Sequence, residues 1–374
     1  MNRAFLTLIL TLMAVTGFAQ VPVLTAGGHL PRGGDRIERY CIDYVLPGDS
    51  GRNVLWDKSG LHVGKETLVS AYKYWSDSTF SEVVAGRVQY NYTISGDTVL
   101  CNGFENRLTF TCDTVASIEA VYPLYYGKRV SKPFHRRGVY SDRIGIETTG
   151  ISEIRADAFG TLLLPDCDTL RNVLRTRLHS KSATTISYRQ PGDTAKCDST
   201  ASSVLLDENI YRWYVAGYKY PVLESRRMEY YGLPDTVLLS VSKGGFLYYP
   251  DNQTYDVGEQ DAEVVYDNRP CVAQAGTTGR DGTGGETLRQ KSIGNIDVSN
   301  DGSGTVSLGC TLMRDAEMEI IVSDLQGRVF RHIPPTSCRQ GYFHTSINCS
   351  GLLPGRYLVG IIYGNERNAY LIDL

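Results

Sequence analysis

The sequence predicts an all-β protein, and three observations carry that prediction. Tyrosine is abundant, at 25 residues, and strands favour aromatic and β-branched side chains. Apolar residues recur with a period of two over short runs, and no long helical pattern interrupts them. Clusters of Gly, Pro, Asn, Asp and Ser punctuate those runs at short intervals, as in sandwiches and barrels. The body is read as one or two β-sandwich modules, with a smaller β-sandwich at the C-terminus.

Met1-Asn2-Arg3 is a positive start, Ala4 to Val15 is apolar, and Gly17-Phe18-Ala19 sets small residues before Gln20. Residues 1–19 therefore read as a secretory signal peptide cut between Ala19 and Gln20. The apolar segment is shorter than the ~20 residues of a membrane-spanning helix, and no later run approaches that length. Gln20 also stands where a lipoprotein would need cysteine. An exported protein is expected, at the cell surface or in the medium, with the periplasm as the alternative. A net charge of −3 implies neither nucleic acid nor anionic membrane as partner.

The body spans 20–268. After the Gly-rich lead Gly27 to Gly34, strands are expected at Ile37 to Val45, Leu68 to Trp75, Val83 to Ile94, Val99 to Cys101 and Leu108 to Cys112. Turns such as Ser95-Gly96-Asp97 separate them. Ala156 to Leu164 is a further strand, with Asp166-Cys167-Asp168 as its turn and Thr169 to Leu178 as the return. The polar stretch 179–203 reads as a long loop where the body could divide. Strands resume at Tyr211 to Val215, Lys219 to Glu224, Arg226 to Tyr231, Thr236 to Ser242 and Phe246 to Tyr249. Residues 269–291, rich in Gly and Thr, have the composition of a flexible linker.

Residues 292–374 form the terminal domain. Met318, Ile320 and Val322 alternate with Glu317, Glu319 and Ile321, and Asp324-Leu325-Gln326-Gly327 turns the chain into Arg328-Val329-Phe330, a β-hairpin. Leu352-Leu353-Pro354-Gly355 makes a corner before Tyr357 to Ile362, and seven or so strands result. The pair Ile321 to Val329 and Leu352 to Val359 resembles the type A C-terminal sorting domain of type IX secretion, whose motifs are met here by Asp324, Gly327, Gly355 and Tyr357. The resemblance implies an immunoglobulin-like sandwich that addresses cargo to sorting machinery in the outer membrane. The family commonly finishes on a basic strand, whereas this chain ends Ile372-Asp373-Leu374. Asp157 to Leu164 and Asn172 to Arg175 also resemble a segment of uncharacterised secreted proteins that carry such domains, and no activity comes with that likeness.

Nine cysteines in an exported chain permit disulfides. Cys101 with Cys112 and Cys338 with Cys349 are the preferred pairs, each eleven positions apart. Buried unpaired thiols remain the equal alternative.

Catalytic signals are weak. Gly48-Asp49-Ser50-Gly51 copies a serine-protease tetrapeptide, but only His29 lies between the signal peptide and Ser50, so no triad can form around it. Asp297 to Gly302 matches the start of a calcium loop, yet Leu308 occupies the position of the closing bidentate Glu. The six histidines show no zinc-like spacing, and no Cys-x-x-Cys occurs. No cofactor is expected. The tyrosine pairs 125–126, 230–231 and 248–249 should each send one ring inward and one outward. Tyr211, Trp213, Tyr231 and Tyr249 are the rings that could stack on a surface glycan. The function expected is an exported structural or adhesion-type surface protein without catalytic activity. A glycan-binding surface protein and an extracellular hydrolase are the alternatives.

Overall fold

The computed structural model describes residues 21–249 and 292–374, apart from 86, 142–143, 166–168, 190–196, 303, 325–328, 353–354 and 365. The Ala19–Gln20 junction, the 269–291 linker, the Asp166 to Asp168 turn and Gly327 lie outside the described residues.

The body begins with β1 (Val23–Leu24), the single helical turn α1 (Ala26–His29), β2 (Arg36–Ile42), β3 (Gly51–Asp57), β4 (Val63–Ser76), β5 (Thr79–Val84), β6 (Val88–Ser95) and β7 (Thr98–Glu105). It continues with β8 (Thr109–Val115), β9 (Ser117–Val121), β10 (Leu124–Tyr125), β11 (Arg129–Tyr140), β12 (Ile144–Leu163), β13 (Thr169–Arg189), β14 (Cys197–Val215), β15 (Leu223–Gly232) and β16 (Val237–Leu247). The terminal unit holds β17 (Ile293–Asn300), β18 (Thr305–Leu312), β19 (Ala316–Ser323), β20 (Val329–Cys338), β21 (Gly341–Asn348), β22 (Arg356–Tyr363) and β23 (Glu366–Asp373). The all-β class holds.

Among the described residues, β2, β4 to β8 and β11 to β16 close into a barrel of 12 strands. In chain order it is an up-and-down meander, and β16 returns to β2 through Gly245↔Ile42, Phe246↔Cys41 and Leu247↔Tyr40. The body is thus one closed ring where sandwich modules were expected. Strand spacing is the same in both architectures, and the difference rests on this single contact between segments some 200 residues apart.

Several local readings change as well. Lys219 to Glu224 is mostly a bend, since β15 begins at Leu223, and the strands expected at Thr236 to Ser242 and Phe246 to Tyr249 merge into the single strand β16. Val83 to Ile94 is the β5–β6 hairpin, turned at Ala85 with φ 51°. The polar stretch 179–203 is largely strand: β13 and β14 pair antiparallel from Val173↔Val215 to Arg189↔Cys197. Ser182, Thr184 and Ile186 point into the barrel there, and Thr148 Oγ1 and Thr184 Oγ1 lie 2.9 Å apart inside it. An interior lined by hydroxyls hides the polar–apolar alternation that marks a strand.

The inward residues include Phe80, Tyr92, Ile118, Ile154, Leu174 and Ile210. On the outer side of β12 and β13, Glu147, Glu153, Arg155, Arg177 and Lys181 alternate with the inward set, where a lipid-facing barrel carries an apolar band. No helix among the described residues is long and apolar enough to cross a membrane.

One part of the outer face is covered. β3 pairs in parallel with the end of β12, Ala158↔Gly51 to Leu163↔Asp57. Trp56 then packs edge-on against Trp213 with centroids 6.1 Å apart, over Leu162, Val173 and Leu223. Gly160 permits the approach, since a Cβ there would lie 1.9 Å from the Val54 carbonyl oxygen.

In the terminal unit, a sheet in the order β17-β18-β21 faces another in the order β20-β19-β22-β23 across a shared core. Met318, Ile320, Val322, Val359 and Ile361 enter that core. The alternate residues Ile321, Leu358 and Ile362 meet Leu108, Tyr140, Ile144, Leu206 and Met228 of the barrel. β22 is therefore buried on both faces, which explains its unbroken apolar run. Gly360 lies against Leu108 and Tyr140, and a Cβ there would fall 2.0 Å from Leu108 Cδ1.

The other end of the barrel is covered by residues 21–34. Lys219 Nζ donates to the Leu30 carbonyl at 2.7 Å, Tyr74 OH to Pro31 at 2.9 Å, and Tyr122 OH to His29 at 3.3 Å. Along β14, Val204 and Leu206 lie at the terminal-unit end, while Tyr214 contacts the His29 ring at 5.8 Å.

Candidate functional site

The barrel interior carries the chemistry. On β14, Glu208, Arg212 and Tyr214 share the inward face with Ile210, and on β15, Glu224 and Arg226 share it with Met228. Arg212 stands directly opposite Glu224 in the ladder. Its Nε donates to Glu224 Oε2 and its Nη1 to Glu119 Oε1, both at 2.7 Å. Arg226 Nη2 donates to the second Glu224 oxygen at 3.3 Å. Burial alone would push the Glu224 carboxyl up, but Arg212, Arg226 and Arg39 outweigh it and hold the group down at about 2.

Glu82 stands opposite Tyr72 and accepts hydrogen bonds from Ser70 Oγ at 2.6 Å and Tyr92 OH at 3.4 Å. Arg39 reaches Glu82 only at 3.6 Å, lies 4.8 Å over the Phe246 ring, and finds no acceptor for Nε among the described residues. Burial drives the phenols of Tyr72, Tyr92 and Tyr248 well above their ordinary range, so they act as neutral donors.

These groups border a cavity of about 110 Å³ under the 21–34 segment. A second hollow of about 210 Å³ lies where barrel and terminal unit meet, lined by Tyr230, Lys243, Asp324 and Tyr357 among others. In the first, Glu119 and Glu224 are clasped by Arg212 and the buried phenols are kept protonated, an arrangement that binds and orients polar groups. No group of His, Cys, Asp and Glu arranged to hold a metal ion occurs among the described residues.

Of the ring residues singled out from the sequence, Tyr211, Trp213 and Tyr249 belong to one packed cluster and Tyr231 does not. Trp213 is on the outer side of β14 but fully buried beneath β3, so it offers no surface to a glycan, against the expectation that it could stack on one. Tyr211 packs in the same cluster and carries Arg175 at 5.2 Å. The pairs do divide between faces: Tyr230 and Tyr248 are buried, while Tyr231 and Tyr249 are half-buried. Tyr231 donates to Glu229 at 2.8 Å, and Tyr249 packs edge-on against Tyr40 at 5.1 Å.

Neither expected disulfide forms. Cys101 is a free thiol pointing into the barrel, whereas Cys112, on the outer side of β8, is disulfide-bonded to another cysteine. Cys338 and Cys349 are both free, on β20 of one terminal sheet and at the end of β21 in the other. Equal spacing in sequence did not put either pair on one side of a sheet. Ser50 is exposed in the irregular segment before β3, and Asp301-Gly302 turn the chain from β17 to β18.

The described residues of the terminal motifs are largely buried. Asp324, 4% exposed, accepts a hydrogen bond from Tyr230 OH of the barrel at 3.0 Å. Gly355 lies against Ser240, and Tyr357 packs edge-on against Phe330 at 5.5 Å.

Arg39, Glu82, Glu119, Arg212 and Glu224 were missed from the sequence. The available signal was parity, since Arg212 and Glu208 fall in phase with Ile210, and Glu224 with Met228, so a charged residue shares the buried face of its strand. No family model matches this chain, and neither a curated protein nor a solved structure matches it.

Proposed function

We propose that this chain is an exported, non-catalytic surface protein of structural or adhesive type, carried outward by a terminal immunoglobulin-like sorting domain. The observation that carries the non-catalytic reading is the clasped interior, where Arg212 joins Glu119 and Glu224 at 2.7 Å each. The sorting role rests on the motif resemblance, and it is supported by strand adjacency: Val322 pairs with Val359 and Ser323 with Leu358, so the two motif segments lie side by side. The core that Ile321, Leu358 and Ile362 share with the barrel supports a terminal unit that stays attached.

Fractionation of the native cells tests this, with the intact mass measured on protein released by surface shaving. The expected species is a surface chain that starts near Gln20 and retains Leu374. A surface form lacking 292–374 would overturn retention, and recovery from the periplasm alone would overturn surface display.

A further inference from the structure

The interior cavity calls for an occupant, and its wall specifies the chemistry. At about 110 Å³ it is smaller than the ~150 Å³ hollow that accepts a six-carbon ring, and a polar hollow of this kind does not stay empty. Three cationic side chains, Arg39, Arg212 and Lys219, and three carboxylates, Glu82, Glu119 and Glu224, line it. Those charges cancel. An anion entering beside Arg39 would also sit against Glu82, and a cation would sit against Arg212, so either would bury an uncompensated charge.

A neutral molecule leaves the pairs intact. Arg39 Nε has no acceptor among the described residues, and Glu119 keeps lone pairs beyond the one that meets Arg212, with 27% of its side chain exposed. Donor and acceptor both line the cavity, and a hydroxyl is the neutral group that serves either. The lining also holds aromatic rings, including Tyr72 stacked on Tyr220 with centroids 5.5 Å apart at 28°. Such faces suit the C–H side of a polyol or sugar.

We propose that this cavity binds a compact neutral polyhydroxy molecule, a polyol or small aldose, with its hydroxyls bridging Arg39 and Glu119. Entry is past the 21–34 segment, which is fastened by side-chain hydrogen bonds to backbone carbonyls from Lys219, Tyr74 and Tyr122. The site does not depend on where the protein is displayed, so failed surface display leaves it standing.

Saturation-transfer NMR on the full mature chain tests it, with glycerol, erythritol, D-xylose and D-glucose each at 1 mM, a level at which general polyol stabilisation is negligible. Transfer to at least one of the first three is expected, with binding weakened at least tenfold in Glu119→Gln and in Arg39→Met. Glu119→Gln keeps the side-chain shape and decides the matter if Arg39→Met does not fold. No transfer to any probe, a Glu119→Gln protein that binds as tightly as the wild type, or displacement of the probe by equimolar glycine would each overturn the proposal.

Discussion

Arg212 and Glu224 face each other across β14 and β15 inside the barrel, with Nε and Oε2 2.7 Å apart. The same guanidinium reaches Glu119, so one side chain balances two carboxylates. Arg212→Met should therefore cost about 3–5 kcal/mol, the usual penalty for leaving a buried charge without its partner. Glu224→Gln should cost less, because Arg212 keeps Glu119. Urea unfolding followed by tryptophan fluorescence measures both, and equal costs would contradict the shared clasp.

The Glu224 carboxyl sits at about 2 in the folded protein against an ordinary 4.5. A depressed carboxyl means that the unfolded chain takes the proton first, so the stabilisation is present above about pH 4.5 and is lost as the pH falls toward 2. Unfolding midpoints should drop through that window in the wild type and flatten there in Glu224→Gln.

His29 behaves in the same direction for a different reason. Burial lowers its imidazole most, the Thr25 backbone carbonyl raises it, and the charge of Lys219 lowers it further, for a net fall below the ordinary 6.5. A base lowered in the folded state protonates first when its segment is released, so docking of 21–34 should weaken as the pH falls below about 6.5. Hydrogen exchange, corrected for intrinsic rates, should quicken in 21–34 between pH 7.5 and 5.5 while β13 stays protected.

Cys101 points inward, where burial is the main force pushing its thiol up to about 12. It should resist iodoacetamide at pH 8 until the chain unfolds. Peptide mapping without reduction should find Cys112 cross-linked, and a Cys101–Cys112 peptide would contradict this arrangement.

The terminal unit closes one end of the barrel with Ile321, Leu358 and Ile362. A chain lacking 292–374 should lose its soluble monomer in gel filtration and gain dye binding, because the apolar end around Ile144, Leu206 and Met228 is uncovered. Gly360→Val, which places a side chain on Leu108, should give a milder form of the same result.

The terminal strands were legible because Met318, Ile320 and Val322 alternate cleanly and the turns between strands carry their usual residues. The tyrosine pairs were legible for the same reason of period. Ring closure was not, since Phe246↔Cys41 joins residues whose local patterns say nothing of each other. Nor was the burial of Trp213, which depends on β3 crossing to the end of β12. The interior network stayed hidden because Arg212 and Glu224 look like surface residues until their parity with Ile210 and Met228 is counted.

The seam between β2 and β16 has a mechanical consequence. It rests on three residue pairs, and Tyr40 with Leu247 stands at the side from which β2 enters and β16 leaves the ring. Tension between the two ends of the body would load these pairs one at a time, in a peeling direction, rather than shear them together. Under tension, the barrel of a tethered chain would open first along this line and lengthen gradually at low force.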